Sequence, residues 1–193
     1  MEPLTETGQV TRRASPFTPE DLRSIAGRRG WLPASGMPGE SREPDPVAAA
    51  RQLWMAETAQ LLGAQAADSG ALEALLECVF QYDAREHLAR PENQAVMARE
   101  GARQVLRELA ALVLDSAEVN SDRYKEIVAA LKERTGRRGQ ELFHPVRLAL
   151  AGRAGEGEFD RVILLLDGAA RLDWSVRVKN CRERILEFCG VLD

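Results

Sequence analysis

The sequence predicts an all-α fold, a multi-helix bundle or cage, and three observations carry that expectation. Apolar residues recur at the i, i+3, i+4, i+7 spacing of a single helix face, as in Leu72, Leu75, Leu76, Val79 and Phe80. Proline after a capping residue opens one segment after another, as in Thr18-Pro19 and Asp45-Pro46. No Asn-Gly or Asp-Gly turn separates a pair of alternating runs, as a β-hairpin would need.

The elements follow in chain order. Residues 1–17 show no periodicity. Thr18-Pro19-Glu20-Asp21 then reads as a helix start, with a hydroxyl cap, proline in the first turn and acids at the positive end of the dipole. That short helix carries Leu22, Ile25 and Ala26, and a glycine- and proline-rich stretch around Trp31 runs on to Pro44. Asp45-Pro46 opens a longer helix with Val47, Ala50, Trp54 and Leu61, broken at Ser69-Gly70 ahead of the Leu72 stripe. Pro91 starts another helix, with Val105, Leu109, Leu112 and Val113 as its stripe. Ser121 is placed to cap the next, where Tyr124, Ile127, Val128 and Leu131 precede a stop at Gly136. Phe159, Val162, Ile163 and Leu166 make one more, closed by Gly168.

Two stretches admit a second reading. Val162 to Leu166 is a solid apolar run that also suits a buried strand, and Trp174, Val176 and Val178 alternate with polar residues. Against the strand, Trp174, Val178, Cys181, Ile185 and Phe188 form a helical seam over a longer span, which favours an extra C-terminal helix.

Composition narrows the function. With 45% hydrophobic and 29% charged residues the chain is an ordinary globular one, and no apolar run is long enough to cross a bilayer. Its acidic N-terminus lacks a signal-peptide core, so the cytoplasm is the expected address. Three cysteines without a Cys-x-x-Cys pair and two distant histidines do not make a metal site, and no metal or cofactor is expected. The glycine-rich Gly152–Gly157 stretch follows a helical pattern and lacks Gly-Lys-Ser/Thr, so it reads as a turn, not a phosphate loop. No nucleophile elbow occurs, and no catalytic residue is assigned.

One charge feature stands out. The formal net charge is −4, yet the window Arg123–Arg153 holds eight basic residues against three acids, which makes it +5 and the remainder −9. Arg134, Arg137 and Arg138 sit on and just after a helix C-terminus, where a cation gains about 0.3–1 kcal/mol from the dipole. One or two cations satisfy that need. The rest, with Lys132, Arg147 and Arg153 flanking, suit phosphates, which match arginine's planar fork.

The segment Leu142-Phe143-His144-Pro145-Val146-Arg147-Leu148-Ala149-Leu150-Ala151-Gly152 resembles a signature of the glutamyl-tRNA synthetase family, Leu-Phe-x-Pro-(Leu/Ile/Val)-Arg-x-Ala-Leu-Thr-Gly, in its C-terminal anticodon-binding region. In that family the signature follows a helix ending in a basic Gly-x-(Lys/Arg)-Gly turn, which Gly136-Arg137-Arg138-Gly139 resembles. Glu158 to Leu166 is similar to the family's following helix, and looser matches around Cys78–Tyr82 and Val105–Leu109 extend the likeness over residues 46–172. The resemblance implies a helical cage resembling the family's anticodon-binding domains. Its lobes would be a first at 45–120 and a second at 121–193, which carries the motif and an extra helix, behind an N-terminal extension at 1–44.

The resemblance also implies a partner, tRNA (glutamate tRNA among the candidates) or another structured RNA. The implied RNA-binding set is Lys132, Arg134, Arg137, Arg138, Arg147 and Arg153. On the residues alone, Pro145 should start a short helix, leaving Arg147 in its first turns, where the dipole disfavours a cation. Either a buried acid or an RNA phosphate should hold it there. The family's His-Ile-Gly-His and Lys-Met-Ser-Lys-Ser signatures do not occur, so ATP activation and glutamate transfer are not expected on this chain. Ala151 stands where the family has threonine. Two alternatives remain open on sequence: a helical protein-interaction scaffold that has lost RNA binding, and the non-catalytic half of a split synthetase whose catalytic chain is separate.

Overall fold

The computed structural model describes residues 15–33, 46–115 and 118–192, which form ten helices and no strand. Helix α1 is Pro19–Arg28, α2 Pro46–Gly63, α3 Ser69–Phe80, α4 Ala84–Ala89 and α5 Pro91–Met97. Helix α6 is Ala102–Leu114, α7 Ser121–Thr135, α8 Gln140–Ala151, α9 Glu158–Ala170 and α10 Cys181–Leu192. The expected start of α2 at Asp45 lies outside the described residues, as do 1–14 of the N-terminal stretch and the linker from 34 to 45.

Local chemistry explains most boundaries. Thr18 and Asp21 form a reciprocal capping box on α1, the Thr18 N–H donating to the Asp21 carboxylate at 2.8 Å. Ser69-Gly70 does not break a helix. Instead Asp68 caps α3 by accepting from the Ala71 N–H at 2.8 Å, and both residues lie in its first turn. Asn120, one residue earlier than Ser121, caps α7 by accepting from the Arg123 N–H. Gly136 ends α7 and Gly152 ends α8, each in the left-handed conformation.

Four further expectations need correction. The helix from Pro91 is two helices, because Gly101 takes a φ of 82° between α5 and α6. Pro145 lies inside α8 instead of opening it, so Arg147 is mid-helix and the N-terminal dipole does not act on it. Helix α9 runs past Gly168 to Ala170, because that glycine lets the helix pack closely on Trp54. The seam drawn from Trp174 as one helix begins only at Cys181, and Trp174 to Asn180 is irregular, with a bend at Ser175 and Val176. Its alternation is real: Trp174 and Val178 turn inward while Ser175 and Arg177 face out.

Helix α8 lies at the centre, packed on α6, α9 and α10, with Leu142 and the run from Pro145 to Ala151 buried. Helix α3 packs on α9, and α6 on α7 and α10, so one core cluster runs from Leu22 to Phe188 and crosses residue 120. An aromatic group joins distant segments. Trp31 stacks on Phe80 at 4.3 Å, and Trp54 and Trp174 meet Phe80 edge-on at 5.9 and 4.8 Å. The indoles of Trp54 and Trp174 donate to the Leu165 and Ala169 carbonyls. Arg184 of α10 is 0% exposed and reaches between the C-terminal ends of α3 and α8.

Candidate nucleic-acid interface

The basic residues of α7 and the turn after it stand at the surface in different states. Lys132 is exposed, with its ammonium 5.9 Å from the Phe143 ring centre. Arg134 pairs with Glu108 of α6 at 3.2 Å. Arg137 pairs with Glu100 at 3.3 Å and Glu141 at 3.2 Å, crossing the Gly101 turn, where a Cβ would collide with its guanidinium. These are surface pairs, worth about 0–1 kcal/mol each, so a phosphate can displace them. Arg138 is exposed on the Gly136–Gly139 turn and has no ion pair among the described residues.

Arg147 differs from the rest. It is 7% exposed, and its Nε and Nη2 grip the Asp160 carboxylate of α9 at 2.9 and 2.8 Å. Its Nη1 donates to the Gly155 carbonyl at 2.7 Å, and the Tyr124 hydroxyl donates to the same carboxylate at 2.8 Å. Burial works against the Arg147 charge, but the Asp160 hydrogen bonds and charge outweigh it, and its pKa is raised. Of the two partners expected for this residue, the structure supplies the acid. Arg147 thereby ties α8 to α9 and fixes the turn that carries Arg153.

Two clefts adjoin that turn and share Arg90 and Arg153. The larger, about 560 Å³, lies between α5 and the 152–157 turn and adds Arg99, His144, Val96 and Phe159. The smaller, about 200 Å³, runs beside α4 over Cys78, Tyr82 and His87. Neither Arg90 nor Arg153 has an ion pair among the described residues, and Arg99 contacts His144 Nδ1 at 3.0 Å. Glu92 also lines the larger cleft and Glu77, Asp83 and Glu86 the smaller, but none of them pairs with Arg90, Arg99 or Arg153. Arginines free of ion pairs among the described residues, an apolar floor and an open mouth suit an unstacked nucleotide: a phosphate clamp and a surface for the base.

The structure thus brings Arg153 together with Arg90 and Arg99, which sequence reasoning missed. A chain of contacts links them to Arg137 through the 99–101 turn, where Arg99 touches His144 and Glu100 touches Arg137. Lys132 and Arg147 flank Phe143, and Arg134 faces α6. No spacing signal points to Arg90 or Arg99, which sit at the ends of the short helices α4 and α5.

His87 sits beneath the α8 terminus with both ring nitrogens buried and unpartnered in the described structure. Gly152 has a φ of 77°, and a Cβ there would overlap the His87 ring. Burial, then the charges of Arg90 and Arg184, push the His87 pKa down to about 4 from 6.5. The unfolded chain therefore takes up a proton at higher pH than the folded one. The stability this contributes is complete above pH 6.5 and lost as pH falls toward 4. After discounting for partial exposure, the expected loss is about 1 kcal/mol. Urea midpoints should fall between pH 7 and pH 5 in the wild type and fall less in His87→Gln, where His144 still titrates; equal slopes would remove His87 as the cause.

Against known proteins, residues 44–166 match the model of the anticodon binding domain family. Glutamate–tRNA ligase 2 of Syntrophus aciditrophicus is 40% identical over 76 residues, covering 39% of this chain and 16% of the relative. Glutamate–tRNA ligase 1 of Halorhodospira halophila is 43% identical over 53 residues, 28% of this chain and 11% of the relative. Glutamate–tRNA ligase 1 of Ehrlichia ruminantium is 36% identical over 72 residues, 36% of this chain and 16% of the relative. These matches span only 11–16% of the relatives' own length. No solved structure matches the chain. None of the helices among the described residues is long and apolar enough to cross a membrane. The family match takes in more than half of the chain and runs from α2 into α9, the part that builds both clefts and the basic turn: the chain belongs to the anticodon binding domain family, in its glutamyl-tRNA synthetase-like form.

Proposed function

We propose that this chain binds tRNA through the basic turn after α7 and the adjoining clefts, as a module derived from the anticodon-binding region of a glutamyl-tRNA synthetase, without catalysis of its own. The observation that carries the reading is the cleft beside the 152–157 turn, where Arg90, Arg99 and Arg153 converge without an ion-paired carboxylate among the described residues. Arg138 and Arg137 extend the positive surface toward α7, with Lys132 and Arg134 beyond them. Arg147 serves the site by holding the Gly155 turn. Because the relatives are named glutamate–tRNA ligases, glutamate tRNA is the first RNA to test. A separate synthetase chain is the second partner, and the cytoplasm is the compartment that both imply.

Fluorescence anisotropy with purified glutamate tRNA and with unfractionated tRNA, across a salt series, tests this. Binding tighter than micromolar at physiological salt supports it; equal affinity for a duplex DNA of the same length counts against a tRNA module. In Arg137→Ala/Arg138→Ala the slope of log affinity against log salt should fall by about two, roughly one for each phosphate left without its arginine. An unchanged slope would take the α7 turn out of the interface.

A further inference from the structure

His144 lines the larger cleft, and its neighbour dictates the direction of its hydrogen bonding. An arginine guanidinium has donors and no acceptor. Arg99 Nη1 lies 3.0 Å from His144 Nδ1, so that nitrogen must accept. Protonating Nδ1 would set two donors against each other. In a neutral imidazole the proton then sits on Nε2, which becomes a donor.

That Nε2 is buried and has no hydrogen-bond partner within the described structure. Once the side chains over it move aside, an acceptor entering the cleft gives this donor a hydrogen bond without displacing one to water. The ring lines the same cleft as Arg90 and Arg153, which are placed to hold a phosphate beside it. Burial, then the charges of Arg99 and Arg147, hold the His144 pKa below its usual value, while the Glu156 carboxylate opposes them. The ring is thus a fixed, single-proton donor, unlike an exposed histidine that samples both tautomers.

Resting on the tRNA-binding reading, we infer that His144 is a specificity-determining residue of the cleft, fixed by Arg99 with its proton on Nε2 and donating it to an acceptor on an unstacked nucleotide. The acceptor is a base oxygen or ring nitrogen, since every nucleotide offers the same phosphate. A site with a buried donor discriminates sharply, because a ligand lacking the acceptor leaves that donor unpaired.

The imidazole ¹⁵N and proton signals of the wild-type chain, recorded free, with inorganic phosphate and with glutamate tRNA, give the test. The free protein should show a neutral ring protonated at Nε2, and the Nε2–H signal should shift when tRNA saturates it. A shift only with tRNA assigns the acceptor to a base; a shift with phosphate alone places it on the phosphate and overturns the specificity role. A proton on Nδ1, or an Nε2 signal unmoved by bound tRNA, overturns the inference. His144→Phe should weaken tRNA binding about tenfold. His144→Gln, which keeps an N–H at the reach of Nε2, should stay within about threefold of wild type at a temperature where melting curves show all three folded. Equal losses in the two variants also overturn it. A wild type that does not bind tRNA removes the functional reading itself, and this inference with it.

Discussion

Arg184→Met should lower the unfolding free energy by about 4 kcal/mol and the melting midpoint by about 10 °C. The reason is where the guanidinium sits. The C-terminal ends of helices α3 and α8 both reach it, and each end carries carbonyls without an intrahelical partner and the negative pole of a dipole. Arg184 Nη1 donates to Cys78 O and Leu150 O, both at 2.8 Å, Nη2 to Val79 O at 2.6 Å, and Nε to Lys179 O at 2.9 Å. Its guanidinium carbon lies 4.6 Å from the Tyr82 ring centre. Tyr82 completes the junction by donating its hydroxyl to Ala149 O at 2.5 Å. Burial pulls the Arg184 pKa down to about 10, which still leaves it charged at neutral pH. Methionine fills similar volume but leaves those carbonyl acceptors unpaired beside two negative dipole ends. Arg184→Lys keeps the charge but not the planar fork, and should recover only about half of the loss. Urea unfolding followed by circular dichroism checks both; a loss under about 1 kcal/mol in Arg184→Met would mean that water satisfies the carbonyls.

Asp160→Ala is the second large expected effect, about 3 kcal/mol. It strands the buried guanidinium of Arg147 and removes the acceptor of the Tyr124 hydroxyl. Burial first, and then the Asp160 charge, push the Tyr124 phenol pKa up, so the phenol stays protonated and needs that acceptor. Arg147→Met should cost a comparable amount, since it leaves the carboxylate alone. The same pair of variants separates two roles for Arg147. If it only positions the 152–157 turn, tRNA affinity falls in Arg147→Met but the salt slope holds, at temperatures below melting. A slope reduced by about one would show that Arg147 itself meets a phosphate.

The contrast between the α7 turn and the clefts shows what the sequence could reveal. Lys132, Arg134, Arg137 and Arg138 are close neighbours along the chain, so their clustering is legible from composition alone. Arg90, Arg99, His144 and Arg153 are brought together by the packing of α5 on α8, and no local pattern announces them. Long elements with clear end signals were read well: α1 from its Thr18 cap and Pro19, and the ends of α7 and α8 from their glycines. Helices α4 and α5, of 6 and 7 residues, span too few turns for a hydrophobic period to register. Pro145 misled because proline more often opens a helix than interrupts one; here Glu141, whose carbonyl loses its partner, is exposed to water. Arg184 reads as one more charge in the Arg182-Glu183-Arg184 run, and only the meeting of two distant helix ends gives it a special place.

The aromatic group around Phe80 has a consequence for how the chain can be cut. Trp31 precedes the family-matched stretch and Trp174 follows it, while Ser175 fastens the two flanks by donating its N–H to Trp31 O at 2.8 Å and its hydroxyl to Leu32 O at 2.6 Å. The two flanks clasp each other across Phe80. A fragment trimmed to 44–166 loses both hands of the clasp, leaves Trp54 and Phe80 wet, and forfeits Arg184 as well. The homologous stretch on its own should therefore be less stable than the longer chain, which thermal melts of the two would show. Because the clasp gathers all three tryptophans of the chain, its opening is visible as one change in intrinsic fluorescence.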